Sequence, residues 1–331
     1  MSYPYMSKTR ILFVSDIHGS DRLFLKSVNA APIYKAQFLV IGGDIGGKAI
    51  TPLFKKGDEL KAEVQRTWRT AKTKEESEQL GRDVRSIGNY PYLTTEQEWN
   101  ELMKDSTMID KIFDAVIKES IEKWCRIGEE RLKKIDVRLI MNKGNDDPPI
   151  IDETLRKSAF VEFPNEKIIR IENHEMLSLG YSNMTPWKLP GDLTEEVLQA
   201  KLETLAGQTQ DMKNAIFNIH VPPYNTLLDL APKLDENLTP VLTPAFHCDT
   251  SGREPEMVHV GSIAVRDAIE KFQPLLSVHG RVRESKRTAT YMRIGRTQCF
   301  NPGSENQIGL LQGLLLDVSD NKLDGHVFTS G

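Results

Sequence analysis

Five short apolar runs, each breaking into a turn rich in Gly, Asp, Asn, His or Arg, constrain this chain more than any other feature. Ile11-Leu12-Phe13-Val14 is followed by Asp16-Ile17-His18, and Phe38-Leu39-Val40-Ile41 by Gly42-Gly43-Asp44-Ile45-Gly46-Gly47-Lys48. Val137 to Met141 is followed by Gly144-Asn145-Asp146-Asp147. Ala215-Ile216-Phe217-Asn218-Ile219 ends on His220, and Leu275-Leu276-Ser277-Val278 leads into His279-Gly280-Arg281-Val282-Arg283-Glu284-Ser285. Such short apolar, partly β-branched runs read as buried strands. Helical stretches separate them, at Arg22 to Ala31, Leu193 to Leu205 and Val265 to Phe272. Alternating strand and helix implies layered α/β packing, and in such folds ligands gather where the strands reach their carboxyl ends. The polar blocks follow the strand runs, so residues far apart in sequence can meet there.

Between Ala49 and Lys134 the pattern changes to a charged region that reads mostly as helix. Ile109, Ile112, Phe113, Val116, Ile117, Ile121 and Trp124 recur at helical spacing, the mark of an amphipathic helix covering a core. Phe54 to Arg85 is more polar and reads as a mobile lid. With 331 residues, 39% hydrophobic and 27% charged, the chain has the balance of a soluble globular protein. A single domain over 1–331 is expected, including a helical insertion at about 50–135. The net charge of −4 gives no case for nucleic acid; only the local basic stretches Lys133 to Arg138 and Arg281 to Arg287 would suit it. No apolar stretch approaches the roughly 20 residues that span a bilayer, and Met1 to Arg10 has no apolar signal core. Cys125, Cys248 and Cys299 are widely spaced and form no C-x-x-C pair, so all three read as structural and a reducing cytoplasm is the expected location.

Taken in order, these blocks resemble those of the calcineurin-like metallophosphoesterases: D-x-H, G-D, G-N-H-[DE], a lone His after a strand, and G-H-x-H. The resemblance runs from about Ile11 to Ser304, with Asn301-Pro302-Gly303-Ser304 matching a further turn. It is nearer to a microbial subgroup with G-N-D-D in the third block and a helical insertion after the second. The resemblance implies a four-layer α/β/β/α sandwich with a helical cap over the active face. It also implies a centre for up to two divalent ions, with Mn, Fe or Zn suited to its N/O ligands. Asp16 and His18 would hold one ion, Asn145 and His220 the other, and Asp44 would bridge. A hydroxide shared by the ions would attack a phosphate ester, a phosphodiester or nucleotide being expected. The implied partner is a phosphorylated small molecule.

The chain departs from the family pattern where it matters. Asp146 stands where the third block usually has a catalytic His, and both histidines of the last block are arginine, Arg281 and Arg283. Arginine offers no lone pair to a metal. Three arrangements are open from the sequence. The arginines can turn to solvent beside a weakened metal site, grip substrate phosphate, or sit against Asp16 and Asp44 in place of metal. The first two fit a retuned enzyme using Asp146, Arg281 and Arg283; the last fits an inactive relative that binds a phosphorylated ligand or a protein. His279 is a candidate substitute ligand, His247 and His259 could approach the cleft, and His174 and His326 read as peripheral.

Overall fold

The structure, a computed structural model, describes residues 8–244 and 252–331. Two sheets lie face to face. The first has five strands in the order Lys322–Ser330, Gln312–Ser319, Thr9–Val14, Phe38–Ile41 and Arg138–Met141. Its last three run parallel, with Leu12 beside Leu39 and Leu39 beside Leu139. The second has six, in the order Tyr291–Ile294, Thr297–Phe300, Leu276–Val278, Ile216–Ile219, His174–Leu179 and Lys167–Ile171. Its four middle strands are parallel.

Continuous apolar strands belong in a sheet covered on both faces, and the side chains alternate accordingly. Ile11, Phe13, Phe38, Val40 and Ile140 of the first sheet pack on Met176, Ile216, Leu276, Val278 and Phe300 of the second. Leu12, Val14, Leu39, Ile41 and Leu139 point the other way, into a core shared with the helices Asp21–Ile33, Ser106–Leu132 and Pro149–Arg156. Leu177, Leu179, Phe217 and Ile219 do the same with Glu195–Ala206 and Ile263–Phe272. The layers are therefore helix, sheet, sheet, helix. Helix starts carry their own signals: the Ser20, Thr194 and Ser262 side chains accept backbone N–H groups of the first turn, a cap worth about 1 kcal/mol.

The amphipathic stripe is found as expected in Ser106–Leu132, which buries Ile117, Ile121 and Trp124. Trp124 stacks on Phe24 at 4.7 Å and donates its indole N–H to Asp21 Oδ1 at 2.6 Å. The start of the insert differs from the expectation. Instead of a polar, mostly helical lid, Ala49–Lys56, Glu59–Val64 and Thr67–Ala71 form an antiparallel meander, and Asn89–Thr94 joins it parallel to the first strand. Ala62, Val64 and Ala71 close a small core with Leu80 and Val84 of the helix Lys74–Ser86. The turn between the second and third strands, Gln65-Arg66, has both φ angles positive, +52° and +64°. That is type I′ geometry, which Asn-Gly normally announces; Gln-Arg does not, so the hairpin is silent in the sequence. Among the described residues no helix is long and apolar enough to cross a membrane.

Candidate metal centre

Asp16 and His18 follow the strand Thr9–Val14, and Asp44 follows Phe38–Ile41. The two turns are laced together, the N–H of Asp16 donating to the Gly43 carbonyl at 3.0 Å and that of His18 to the Asp44 carbonyl at 2.9 Å. Asp16, His18 and Asp44 have φ of +55°, +41° and +49°. Left-handed backbone costs a non-glycine residue roughly 1–2 kcal/mol, and strain of this kind persists only where the surroundings enforce it. The result is three buried side chains whose ligand atoms all lie within 4.8 Å of one another. His18 Nε2 is 3.8 Å from Asp16 Oδ1 and 3.7 Å from Asp44 Oδ2. These gaps are too long for hydrogen bonds. They suit atoms each about 2.1 Å from one ion, which stand roughly 3–4 Å apart.

Two further residues of the sequence set reach the same place. Asn145 donates its amide N–H to Asp192 Oδ1 at 2.8 Å, which leaves its Oδ1 buried with no hydrogen-bond partner. His220 Nε2 lies 3.2 Å from Asp44 Oδ1 without hydrogen-bond alignment, and its Nδ1 is equally unpartnered. Asp16 Oδ1 and His18 Nδ1 are in the same condition. Buried polar atoms are normally satisfied; the oxygen and imidazole nitrogen atoms left without partners beside the Asp16–His18–Asp44 cluster are of the kind that divalent ions take. Glycine makes the approach feasible. A Cβ on Gly144 would collide with Asp44 Oδ1, and one on Gly280 with Asp16 Oδ2.

Burial pushes His18 down to about 3, so its imidazole is neutral with a lone pair to give. Burial would raise Asp44, but His220 and His18 outweigh it and hold the carboxyl well below its ordinary range. Asp16 is pushed up, chiefly by burial. Burial also works against a charged His220, yet Asp44 beside it leaves the group above its ordinary value. Asp147, the last residue of the third block, is raised to about 7 by burial and then by the charge of Asp44. Its carboxylate accepts the N–H groups of Ile45, Gly46 and Gly144 at 3.0, 2.7 and 2.8 Å, so it clamps the second block to the third.

Arg281 and Arg283 stand beside this cluster. The Arg281 N–H donates to Asp16 Oδ2 at 3.0 Å, and its side-chain Nη1 donates to the Val260 carbonyl at 2.7 Å. Burial lowers the guanidinium from its ordinary value, opposed by the charges of Asp192, Asp44 and Asp16, so it stays within electrostatic reach of the cluster. Arg283 lines the cleft over the centre. Asp146 gives its N–H to Asp44 Oδ1 at 3.1 Å, while its carboxylate is held by Lys48 Nζ at 2.6 Å. His279 Nδ1 faces the carbonyls of Ile219 and Val221 at 2.8 and 3.0 Å, a structural place. His259 lines the cleft, its Nδ1 2.8 Å from Asp229 Oδ1. His174 is buried against the Asn214 carbonyl, and His326 packs among Tyr291, Phe300 and Phe328. His247 and Cys248 lie outside the described residues.

Sequence reasoning missed Lys48, which borders the cleft, and Asp192, which aims Asn145. Asp192 follows Gly191 in a turn and carries no other signal. The Asn301–Ser304 turn, noticed without a role, buttresses the centre. Asn301 Nδ2 donates to the Gly280 and Val282 carbonyls, both at 3.0 Å, and Ser304 Oγ donates to the Asp16 carbonyl at 2.8 Å. The cleft above the centre measures about 1060 Å³. The insert, expected to cap it, contributes only Phe113 to the lining among the described residues. The opposite wall comes from the segments 183–195, 224–240 and 258–263.

The chain is similar over nearly its whole length to solved structures. One crystal structure aligns with a TM-score of 0.57 at 13% identity, covering 98% of this chain and 99% of that one. TT1561 of Thermus thermophilus aligns with a TM-score of 0.51, also at 13% identity and with the same coverage. The likeness is one of fold, two sheets flanked by helices in a mixed α/β sandwich, the architecture that the resemblance of the sequence blocks implies. No protein-family model matches the sequence. An uncharacterized protein of Methanocaldococcus jannaschii, MJ1162, is 30% identical over 166 residues, which take in 49% of this chain and 62% of that protein. The chain thus matches less than two thirds of that relative's length. Within the sandwich, the buried Asp16–His18–Asp44 cluster is able to coordinate a metal ion.

Proposed function

We propose that this chain is a metal-dependent phosphoesterase acting on a phosphorylated small molecule. The observation that carries the reading is the convergence of buried, unpartnered ligand atoms from Asp16, His18, Asn145 and His220 around Asp44. In this reading Asp16, His18 and Asp44 hold one divalent ion, and Asn145 and His220 share Asp44 to hold a second. Bound ions supply the positive charge that polarises phosphoryl oxygens and acidifies water. The chain supplies the rest. Asp147 fixes the two loops against each other, Asp192 aims the Asn145 carbonyl, and the Asp146 N–H steadies Asp44. Arg283 and Lys48 at the rim of the cleft bring cationic donors to phosphate oxygens, the pairing in which guanidinium is strongest.

The test is metal per chain after incubation with excess Mn²⁺ and removal of free ion, together with hydrolysis of bis(p-nitrophenyl) phosphate. Two ions, or one firmly held, with metal-dependent turnover is expected. Bound metal with no turnover of this or a monoester would favour a protein that only binds its phosphorylated ligand. A chain that takes up no metal would overturn the reading.

A further inference from the structure

The lining of the cleft is of two kinds. One is the polar centre with Arg281, Arg283 and Lys48. The other is apolar: Phe113 from the insert, and Met184, Trp187, Tyr224, Leu234 and Ile263 from the wall opposite. Four of these stand open to solvent: Met184 at 52%, Trp187 at 55%, Tyr224 at 38% and Ile263 at 51%. Large apolar groups gathered in a concavity beside a reactive centre mark a ligand groove. We propose that the organic part of the substrate is a bulky apolar group, an alkyl or aryl phosphate ester rather than a nucleotide. This rests on the phosphoesterase reading for where the phosphate sits.

What argues against a nucleotide is the state of the polar groups in the wall. Asn183 Nδ2 donates to the Gly261 carbonyl at 2.9 Å, and the Glu195 carboxylate accepts Ser262 Oγ at 2.6 Å and the Ala264 N–H at 2.9 Å. Thr185 is bound to Asp192, and Lys233 Nζ is 2.9 Å from Glu256. His259 is held on Asp229 at 2.8 Å. Recognition of a base edge needs donors and acceptors left free to pair with it, since an unmatched polar edge is costly to bury. Here Asn183 Nδ2, the Glu195 carboxylate, Thr185, Lys233 and His259 Nδ1 are already paired within the protein, and what the wall mainly offers is area. It is also a firm surface. Tyr224 is anchored by its N–H on the Ser262 carbonyl at 2.9 Å, and its ring meets His259 edge to face at 5.8 Å. Trp187 and Tyr224 bring broad amphipathic faces to the mouth, suited to an apolar group with one wet end.

Calorimetric titration of the Mn²⁺-loaded chain with methyl, octyl and 2-naphthyl phosphate and with thymidine 5′-monophosphate tests this. Each buried methylene strengthens binding about fourfold, so octyl phosphate is expected to bind at least tenfold more tightly than methyl phosphate. Naphthyl against octyl tells ring from chain. In Trp187→Ala the ratio of octyl to methyl affinity is expected to fall at least threefold, and Met184→Ala gives an independent check should that variant misfold. Equal affinities for methyl and octyl, or thymidine monophosphate as the tightest ligand, would overturn the proposal. Tight octyl phosphate binding with no ester hydrolysed would leave it standing while the phosphoesterase reading fell.

Discussion

The two halves of the sandwich contribute unequally to one place. The first sheet delivers acids, an imidazole and an amide from turns after three parallel strands: Asp16, His18, Asp44, Asn145 and Asp146. The second delivers bases, His220 after Ile216–Ile219 and Arg281 and Arg283 after Leu276–Val278. In the first half the residues of the family pattern are present, apart from the Asp146 exchange, and Asp16, His18 and Asp44 stand in left-handed backbone, as does Arg281 in the second half. In the second half only His220 remains of three. Even so, the scaffold beneath the exchanged residues is kept: Gly280 fits against Asp16, and Asn301 holds the loop by two carbonyls. The cluster able to hold a metal thus lies in the first half, and on the proposed reading the second half brings Arg283 to a phosphate.

If that division is right, the largest effect of any single exchange should come from Asp44, the one carboxylate approached by both His18 and His220. Asp44→Ala is expected to empty the centre and to lower kcat/KM by well over the roughly 10–100-fold that losing a supporting contact costs. Elemental analysis and initial rates would measure it. A variant that still bound two ions and turned over substrate would show that the first half is not the holder.

Asp192 offers a finer test, because its hydrogen bond to the centre is made to Asn145. Its other partners are Thr185 and the Leu189 N–H. Asp192→Ala should weaken metal binding by roughly 10–100-fold, the usual cost of losing a residue that orients a ligand. Titration with Mn²⁺ reads this directly. Asp192→Asn keeps an acceptor for the Asn145 amide and should recover part of the affinity; no difference between the two variants would mean that Asn145 does not need aiming.

Much of this was legible in the sequence because strand burial and turn chemistry are local. The runs Ile11–Val14 and Phe38–Ile41 are apolar throughout, Ile216–Ile219 is interrupted only by Asn218, and the five blocks sit where the strands end. The helix Ser106–Leu132 announced itself by the spacing of Ile117, Ile121 and Trp124. What stayed hidden depends on geometry that no short pattern encodes. The meander over 49–71 turns on Gln65-Arg66, an unusual pair for its shape. Asp192 is invisible because its role is set by a side chain 47 positions away. The Val260 carbonyl that accepts Arg281 Nη1 lies in a loop that carries no motif. The cover of the cleft was assigned to the insert because the insert leaves the chain just after Asp44, whereas most of the wall is built from loops of the later half.

The smallest effect should come from an acid of the first half that lies away from the centre, and it serves as the control for the rest. Asp317 on Gln312–Ser319 accepts Arg10 Nε at 2.7 Å and Nη2 at 3.0 Å, with Lys8 Nζ at 2.8 Å. Burial alone would raise its carboxyl, but Arg10 and Lys8 outweigh that and hold it below the ordinary range. A depressed carboxyl stabilises the fold above its unfolded value of about 3.9 and loses that contribution as pH falls through the lower folded value. Because solvent screens a partly open pair, the worth is about 1 kcal/mol or less. Asp317→Asn should therefore lower the urea midpoint at about pH 7, and the gap to the native chain should close toward about pH 2. Metal content and rate should not change. A gap that widened in acid would contradict the sign of the Asp317 shift, and a loss of metal would mean that the acids of the first half act together rather than through Asp16 and Asp44 alone.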